Sequence, residues 1–358
     1  MRKDAGHGIS QVVARDAEAT LSNCLSLENR RRALWKRAAI RAGLFMAAIA
    51  ACSLAPLRAQ APNSSSPAPS TTKQRIRAPL WSPPSVDSRL SSVSKSPPCS
   101  LPDVLAQAGD REQDLVANFS RFSAHEKIQY DQLNAYGSTG TSATAANGTA
   151  NTAYDWDLNV SESTDYNYAV GLRELKGSFL VDESRQVSAG AKALTGVQQD
   201  QGLTSLALIF HPNYQGDYSM RCAGLADWDG TPAWVIYFVQ RKDKPVRTRG
   251  FATSQKVFPE KLKGRAWFAK DSYQILHIDT NLVEPVIFQS GQTLESDAVS
   301  VDYGPVAFQA QNVQLWLPVS AATFTEVAGM RIIIKDTFSD FVLFSVQSNQ
   351  AVEPPSQP

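Results

Sequence analysis

The stretch Tyr218–Val286 constrains the fold more than any other part of this chain. Tyr218, Met220 and Cys222 alternate towards the turn Asp227-Trp228-Asp229-Gly230-Thr231-Pro232, and the chain returns as Ala233–Val239. Asp-Gly between apolar runs is a strong hairpin signal. The returning run is apolar on both faces, with Trp234, Ile236 and Phe238 on one and Val235, Tyr237 and Val239 on the other, so it has to be covered from both sides. A second hairpin follows, Lys263–Lys270 and Tyr273–Val283 around the polar pair Asp271-Ser272. Alternation bounded by a polar turn fixes which side of a strand pair is buried. The stretch reads as the centre of a large antiparallel sheet.

The flanking sequence supplies the rest of that sheet. Phe122, Ala124, Glu126, Ile128 and Tyr130 alternate with polar residues; Tyr166–Leu172 and Phe179–Glu183 meet at Lys176-Gly177. Later runs are Val299–Tyr303 up to Gly304-Pro305, Val313–Leu317, Phe324–Val327, Met330–Ile334 and Phe338–Val346, with Glu326–Gly329 and Lys335-Asp336 as turns. Helical spacing appears in two places. Leu101, Val104, Leu105, Ala108, Leu115, Val116 and Phe119 follow a Ser100/Asp103 capping pair, with Gly109-Asp110 as a break or kink, and Leu203–Phe210 stops at His211-Pro212. About ten strands without intervening helices predict a mainly β, α+β fold. A sheet of that size has to curl, split or close.

Residues 1–59 have the layout of an export leader. Arg30-Arg31-Arg32, Lys36-Arg37 and Arg41 precede the small apolar run Ala42–Leu57. At about 15 residues this run is short of a membrane span. Two processing sites compete: Leu57-Arg58-Ala59 before Gln60, and Ile49-Ala50-Ala51-Cys52, which would lipidate Cys52. Either way the body is expected in the periplasm or at the outer membrane. Residues 60–98, rich in Pro, Ser, Ala and Thr, read as a disordered linker. Residues 99–348 form one domain and 349–358 a flexible tail. The Gly/Ser/Thr/Ala/Asn run 137–153 reads as a flexible insertion. Once the leader is gone, Cys99 and Cys222 remain in an oxidising compartment and are expected to be bonded; the alternative is two separate buried thiols.

The order of these elements resembles a known family. A leader, an amphipathic helix, a "Phe-Ser-Ala-His-Glu" strand and hairpins carrying "Leu-Lys-Gly-Arg-Ala-Trp-Phe" and "Tyr-Gln-Ile-Leu-His-Ile-Asp-Thr-Asn-Leu-Val-Glu-Pro" are similar to the LolA-like bacterial envelope proteins. With "Leu-Ile-Phe-His-Pro", "Tyr-Gly-Pro-Val" and "Leu-Trp-Leu-Pro" the chain also resembles a group of uncharacterised exported bacterial proteins. The resemblance implies a half-barrel, a curved antiparallel sheet around an N-terminal helix and a second short helix. It also implies a concave face that holds acyl chains of lipids or lipoproteins.

On that basis Trp234, Phe238, Trp267, Phe268, Leu276 and Trp316 are the expected lining of an apolar site, unless they fill an ordinary core. No Gly-x-Ser-x-Gly, His-Glu-x-x-His, P-loop or Cys-x-x-Cys occurs, and Ser92-Val93-Ser94-Lys95 lies in the linker, without the pocket its chemistry needs. His125, His211 and His277 each read as structural or solvated. Glu126, on an apolar strand face, needs a partner such as Arg265. The basic loop Arg241–Arg249 reads as solvated rather than as a lipid-headgroup site. A net charge of +1 argues against a nucleic-acid partner. The reading is a non-enzymatic envelope protein without cofactor or metal, taking an apolar ligand. The alternative is an interaction or regulatory module that contacts an envelope protein.

Overall fold

The computed structural model describes residues 81–138 except 91, 154–194, 202–252, 257–288 and 290–344, with short pieces at 75–76, 143–144 and 150–151. All belong to one compact unit, Thr71–Pro358. Helix α1 is Leu101–Asn118 and a one-turn helix α2 is Pro212–Gln215, preceded by a 3₁₀ turn at Thr204–Phe210. The strands are β1 Arg75–Ile76, β2 Arg121–Ser138, β3 Ala143–Thr144, β4 Ala150–Asn151, β5 Tyr154–Leu175, β6 Ser178–Val187, β7 Tyr218–Trp228 and β8 Thr231–Gln240. They continue as β9 Gly250–Ala252, β10 Val257–Pro259, β11 Leu262–Ala269, β12 Ile275–Leu282, β13 Val286–Ile287, β14 Thr293–Phe308, β15 Val313–Val327 and β16 Met330–Phe344.

Twelve strands form one antiparallel sheet in the order β1-β5-β2-β16-β15-β14-β12-β11-β8-β7, with β6 also on β5 and β13 on β14. From β6 to β7 the path crosses nine strand spacings, which laid flat would span about 43 Å. Yet the backbone N–H of Phe179 in β6 donates to the Tyr214 hydroxyl at 2.7 Å, and Tyr214 sits in α2 directly ahead of β7. The sheet is therefore curled into a half-barrel whose two edges are bridged by the 3₁₀ turn and α2. This is the architecture implied by the sequence resemblance.

The interior is packed. Phe122 and Tyr168 from one side of the sheet, Phe238 and Phe268 from the other, and the whole 3₁₀ turn share one buried cluster with Val104, Ala108 and Leu115 of α1. Phe210 meets Phe238 and Phe268 edge-on, at 5.6 and 4.7 Å between centroids. Each such aromatic pair adds about 1 kcal/mol to the burial itself. Three hairpins close with two positive-φ residues each, Lys176-Gly177, Asp229-Gly230 and Ala328-Gly329. Two such residues match the right-handed twist of the flanking strands.

Several local expectations need correction. Helix α1 runs through Gly109-Asp110 without a break, and Ser100 makes no side-chain cap. Lys335-Asp336 lies inside β16 rather than at a turn, and Gly304-Pro305 continues β14. Pro305 is tolerated because β12 pairs with β14 only through Asp302, so no partner on that side needs its missing N–H. The β2–β5 hairpin runs on to Ser138 and Tyr154, well past the strands expected there.

The largest correction concerns the linker, whose second half is packed against the outer face of the sheet. Val86 is buried, and its N–H donates to the Asn281 side chain at 3.1 Å. Leu90 and Val93 pack on Ala226, Ala233, Val235 and Trp267. Ser94 then bridges to Leu225 of β7, and the chain rounds the free edge of that strand to Cys99, which is bonded to Cys222. The few apolar residues spaced along this segment, Val86, Leu90 and Val93, are withdrawn from water against the sheet, which composition averaged over 60–98 conceals. Residues 1–74 and the expected tail lie outside the described residues, as does most of 137–153.

Candidate functional site

The structure divides the six expected lining residues between two faces. Trp234, Phe238 and Phe268 belong to the interior cluster, and Trp316 packs against it. Trp267 and Leu276 point outward, to the cluster roofed by Leu90 and Val93. Adjacent strand residues face opposite ways, so Trp267 and Phe268 could not both line one surface. Phe238 and Phe268 are 1% and 0% exposed, so the centre of the concave face is filled.

Open space lies at one end of the half-barrel. Register places the start of β2, the end of β5, the end of β14, the start of β15 and the end of β16 together there. Helix α1 crosses the same end, since the Arg111 guanidinium donates to the Ser272 carbonyl in the β11–β12 turn at 3.1 Å. A cleft of about 850 Å³ opens between α1, β5, β6, α2, β15 and β16. Its floor is Phe119, Leu172, Phe179 and Leu343, all buried. Gln113, Asn118, Glu174, Asn213 and Gln311 form an exposed polar rim, and Phe344 stands at the lip, 45% exposed. An apolar floor with a polar rim suits a ligand that is apolar at one end and wet at the other.

His211 borders this cleft. Its ring lies edge-on to Phe179 at 4.6 Å, and its Nδ1 accepts the Asn213 N–H at 3.1 Å, which caps α2. Burial lowers its pKa, so the neutral ring serves as a cap. Beneath the same end, Glu112 Oε2, Trp234 Nε1 and Trp316 Nε1 are buried without a hydrogen-bond partner among the described residues. Burial pushes the Glu112 carboxyl up to about 8, so it is neutral at pH 7.

The other concentration of polar groups lies on the outer face. His277 bonds Asp302 through Nδ1 at 2.7 Å and Asp279 through Nε2 at 2.8 Å, and Trp228 stacks on its ring at 3.8 Å. Asp279 also receives Arg265 at 3.0 Å and the Ser300 hydroxyl; Ser320 donates to Asp302 at 2.8 Å. Burial opposes the imidazolium, but the two carboxylates outweigh it and raise the His277 pKa. An imidazolium that donates from both nitrogens has no lone pair with which to take a proton. The arrangement therefore holds strands β11, β12 and β14 together and does not make a base.

Other pairings differ from expectation. Arg185 grips Glu126 with two bonds of 2.7 and 2.8 Å, whereas Arg265 serves Asp279. In the basic loop Arg241 pairs with Asp243, Arg247 with Asp217, and Arg249 with Glu260 and Asp297, so much of its charge is neutralised internally. Among the described residues no group of His, Cys, Asp and Glu is placed to hold a metal ion, and no helix is long and apolar enough to cross a membrane.

The floor of the cleft was not anticipated from the sequence. Its signal is positional: Phe119, Leu172, Phe179, Val313 and Leu343 all stand within a few residues of where a strand or helix begins or ends. Recognising that these ends coincide needs the strand order.

No family model matches the chain, and no curated protein is similar to it. Among solved structures, it is similar to a DUF1329 family protein from Desulfovibrio piger, at 10% identity and a TM-score of 0.34 over 69% of this chain and 95% of that one. It is similar to a Vibrio parahaemolyticus domain described as an outer membrane lipoprotein-sorting protein, at 11% identity and a TM-score of 0.30 over 68% and 95%. A LolA superfamily protein from Nitrosomonas europaea matches at 10% identity and a TM-score of 0.29 over 69% and 95%. At such values no functional residue of those proteins transfers to a residue of this chain.

Proposed function

We propose that this protein is a non-catalytic component of the bacterial envelope that takes the apolar end of a lipid or lipoprotein acyl chain into the open end of its half-barrel. The observation that carries the reading is the cleft of about 850 Å³ with Phe119, Leu172, Phe179 and Leu343 as its floor and polar side chains around its rim. The volume suits part of an acyl chain, and burying that chain against a preformed floor supplies the driving force. The export leader expected in residues 1–59 supports the compartment. The six residues proposed from the sequence then play two roles. Trp234, Phe238, Phe268 and Trp316 back the site from the interior, and Trp267 and Leu276 stiffen the outer face.

The test is displacement of an apolar fluorescent probe from the purified protein by fatty acids of increasing length, together with native mass spectrometry after gentle extraction. Displacement should strengthen with chain length. Leu172→Arg and Leu343→Arg, each at the floor, should weaken probe binding about tenfold or more, since a desolvated charge would stand where the chain lies. Probe binding that ignores chain length, or that survives both substitutions in a folded protein, would sink the proposal.

A further inference from the structure

A second cleft, of about 900 Å³, lies on the opposite, outer face, between the packed segment that follows Val86 and strands β7 and β8. Arg89, Lys95 and Arg221 line it, with Leu90, Val93 and Tyr237 between them. Its one acidic side chain, Asp87, is held by Lys263 at 2.5 Å. Arg221 lies over the Tyr237 ring at 4.0 Å from its centroid. A guanidinium stacked in this way keeps its in-plane N–H fork free for an oxyanion. No carboxylate meets Arg89, Lys95 or Arg221 among the described residues. In a chain whose net charge is +1, with the buried Arg185, Arg249 and Arg265 paired to acids, three exposed cations around one cleft are a local excess.

The geometry points to a binding site for a phosphate-bearing ligand, independent of the cleft at the end of the half-barrel. A phosphate group presents several strong acceptor oxygens and up to two charges, which suits a cleft lined by three cationic donors better than a single carboxylate would. Leu90, Val93 and the Tyr237 ring provide a surface for the organic part of such a ligand. The segment supplying Arg89 and Lys95 is held on both sides of the cleft, by Asp87–Lys263 and the Arg265 bond to the Ser88 carbonyl at one end and by the Ser94–Leu225 bridge at the other. The donors therefore stand on a fixed frame. The phosphate could come from a phospholipid headgroup or from a small soluble phosphate.

The experiment separates these sources in the disulfide-bonded protein. One arm titrates inorganic phosphate and glycerol phosphate and reads phosphorus NMR line width. The other measures co-sedimentation with phosphatidylcholine vesicles with and without about one-fifth phosphatidylglycerol, over a salt series. Arg89→Gln, Lys95→Gln and Arg221→Gln combined should weaken binding about tenfold or more in the arm that holds the ligand. A control carrying Lys127→Gln, Lys270→Gln and Lys335→Gln, with the same change in charge elsewhere, should bind as the parent does. Binding of glycerol phosphate supports a soluble ligand, and binding confined to phosphatidylglycerol vesicles supports a headgroup. If the parent binds none of these probes, or the two variants behave alike, the inference is overturned. Apolar-probe binding at the other cleft should be unchanged in both variants, so the two sites can fail separately.

Discussion

At the scale of single residues, a carboxyl group withdrawn from water ties stability to pH, and Glu112 is such a group. Folding holds its proton up to about pH 8, whereas the unfolded chain releases it near 4.5. The folded state therefore binds more protons throughout that window, and stability falls as pH rises from 4.5 towards 8, then levels. Glu112→Gln should flatten this part of the profile and add about 3 kcal/mol at pH 7, read by urea unfolding across pH. An unchanged profile would show that Glu112 is not held neutral. His277 acts in the same direction. Its raised pKa gives stability that is full below 6.5 and fades above it, so a fall in stability left above 6.5 in the Glu112→Gln variant belongs to His277, whereas the lowered pKa of His211 makes stability rise with pH up to 6.5. At Gly264 an added Cβ would strike the Phe238 ring and the Asp279 carbonyl, and the need of Glu126 for a basic partner was legible in the sequence. The partner of Glu126 was not, because Arg185 reaches it only through the β2–β5–β6 register, 59 residues away.

At the scale of elements, the hairpins explain most of what composition and pattern could reveal. Asp229-Gly230 and Lys176-Gly177 combine turn-forming residues with alternating flanks, so their strands were readable directly. Lys335-Asp336 misled for the opposite reason. In β16 a polar pair sits where Asp336 is buried, close enough to Arg185 to raise its pKa, and inward polar residues look like a turn until their partner is known. The Ala328-Gly329 turn offers a test. Ala328 holds φ at 50°, which costs an alanine about 1 kcal/mol and costs an asparagine less. Ala328→Asn should stabilise the protein by up to about 1 kcal/mol in a urea titration, with an unchanged m-value. A loss of stability would mean that this turn is not seated as described.

At the scale of the whole molecule, the sequence revealed a curled antiparallel sheet with helices inside it, yet it left open which parts of the concave face were filled. That is settled by the 3₁₀ turn. Its seven residues look like a short helix in sequence, and each is buried in the middle of the half-barrel, with the cleft of about 850 Å³ opening towards one end. The molecule is also tied across its faces. Cys99 and Cys222 are 123 residues apart, and bonding them limits the unfolded chain by about 4 to 5 kcal/mol in the loop-entropy picture. Replacing both with serine should lower the unfolding free energy by up to that amount, and a change well under 1 kcal/mol would show that the packing of α1 alone sets the geometry.

The way residues 94–99 wrap around β7 has one more consequence. That strand ends the sheet, and the bridge from Ser94 occupies its open side beside Gly224, where any larger residue would strike the Ser94 carbonyl. Without the Cys99–Cys222 bond to hold the wrap in place, β7 would offer its unpaired backbone to a neighbouring molecule. A reduced preparation should then polymerise edge to edge in proportion to its concentration, visible as growth in light scattering that oxidised protein lacks. On that outcome oxidation would cap the strand against self-assembly and tie safe folding of this chain to a compartment in which its cysteines can pair.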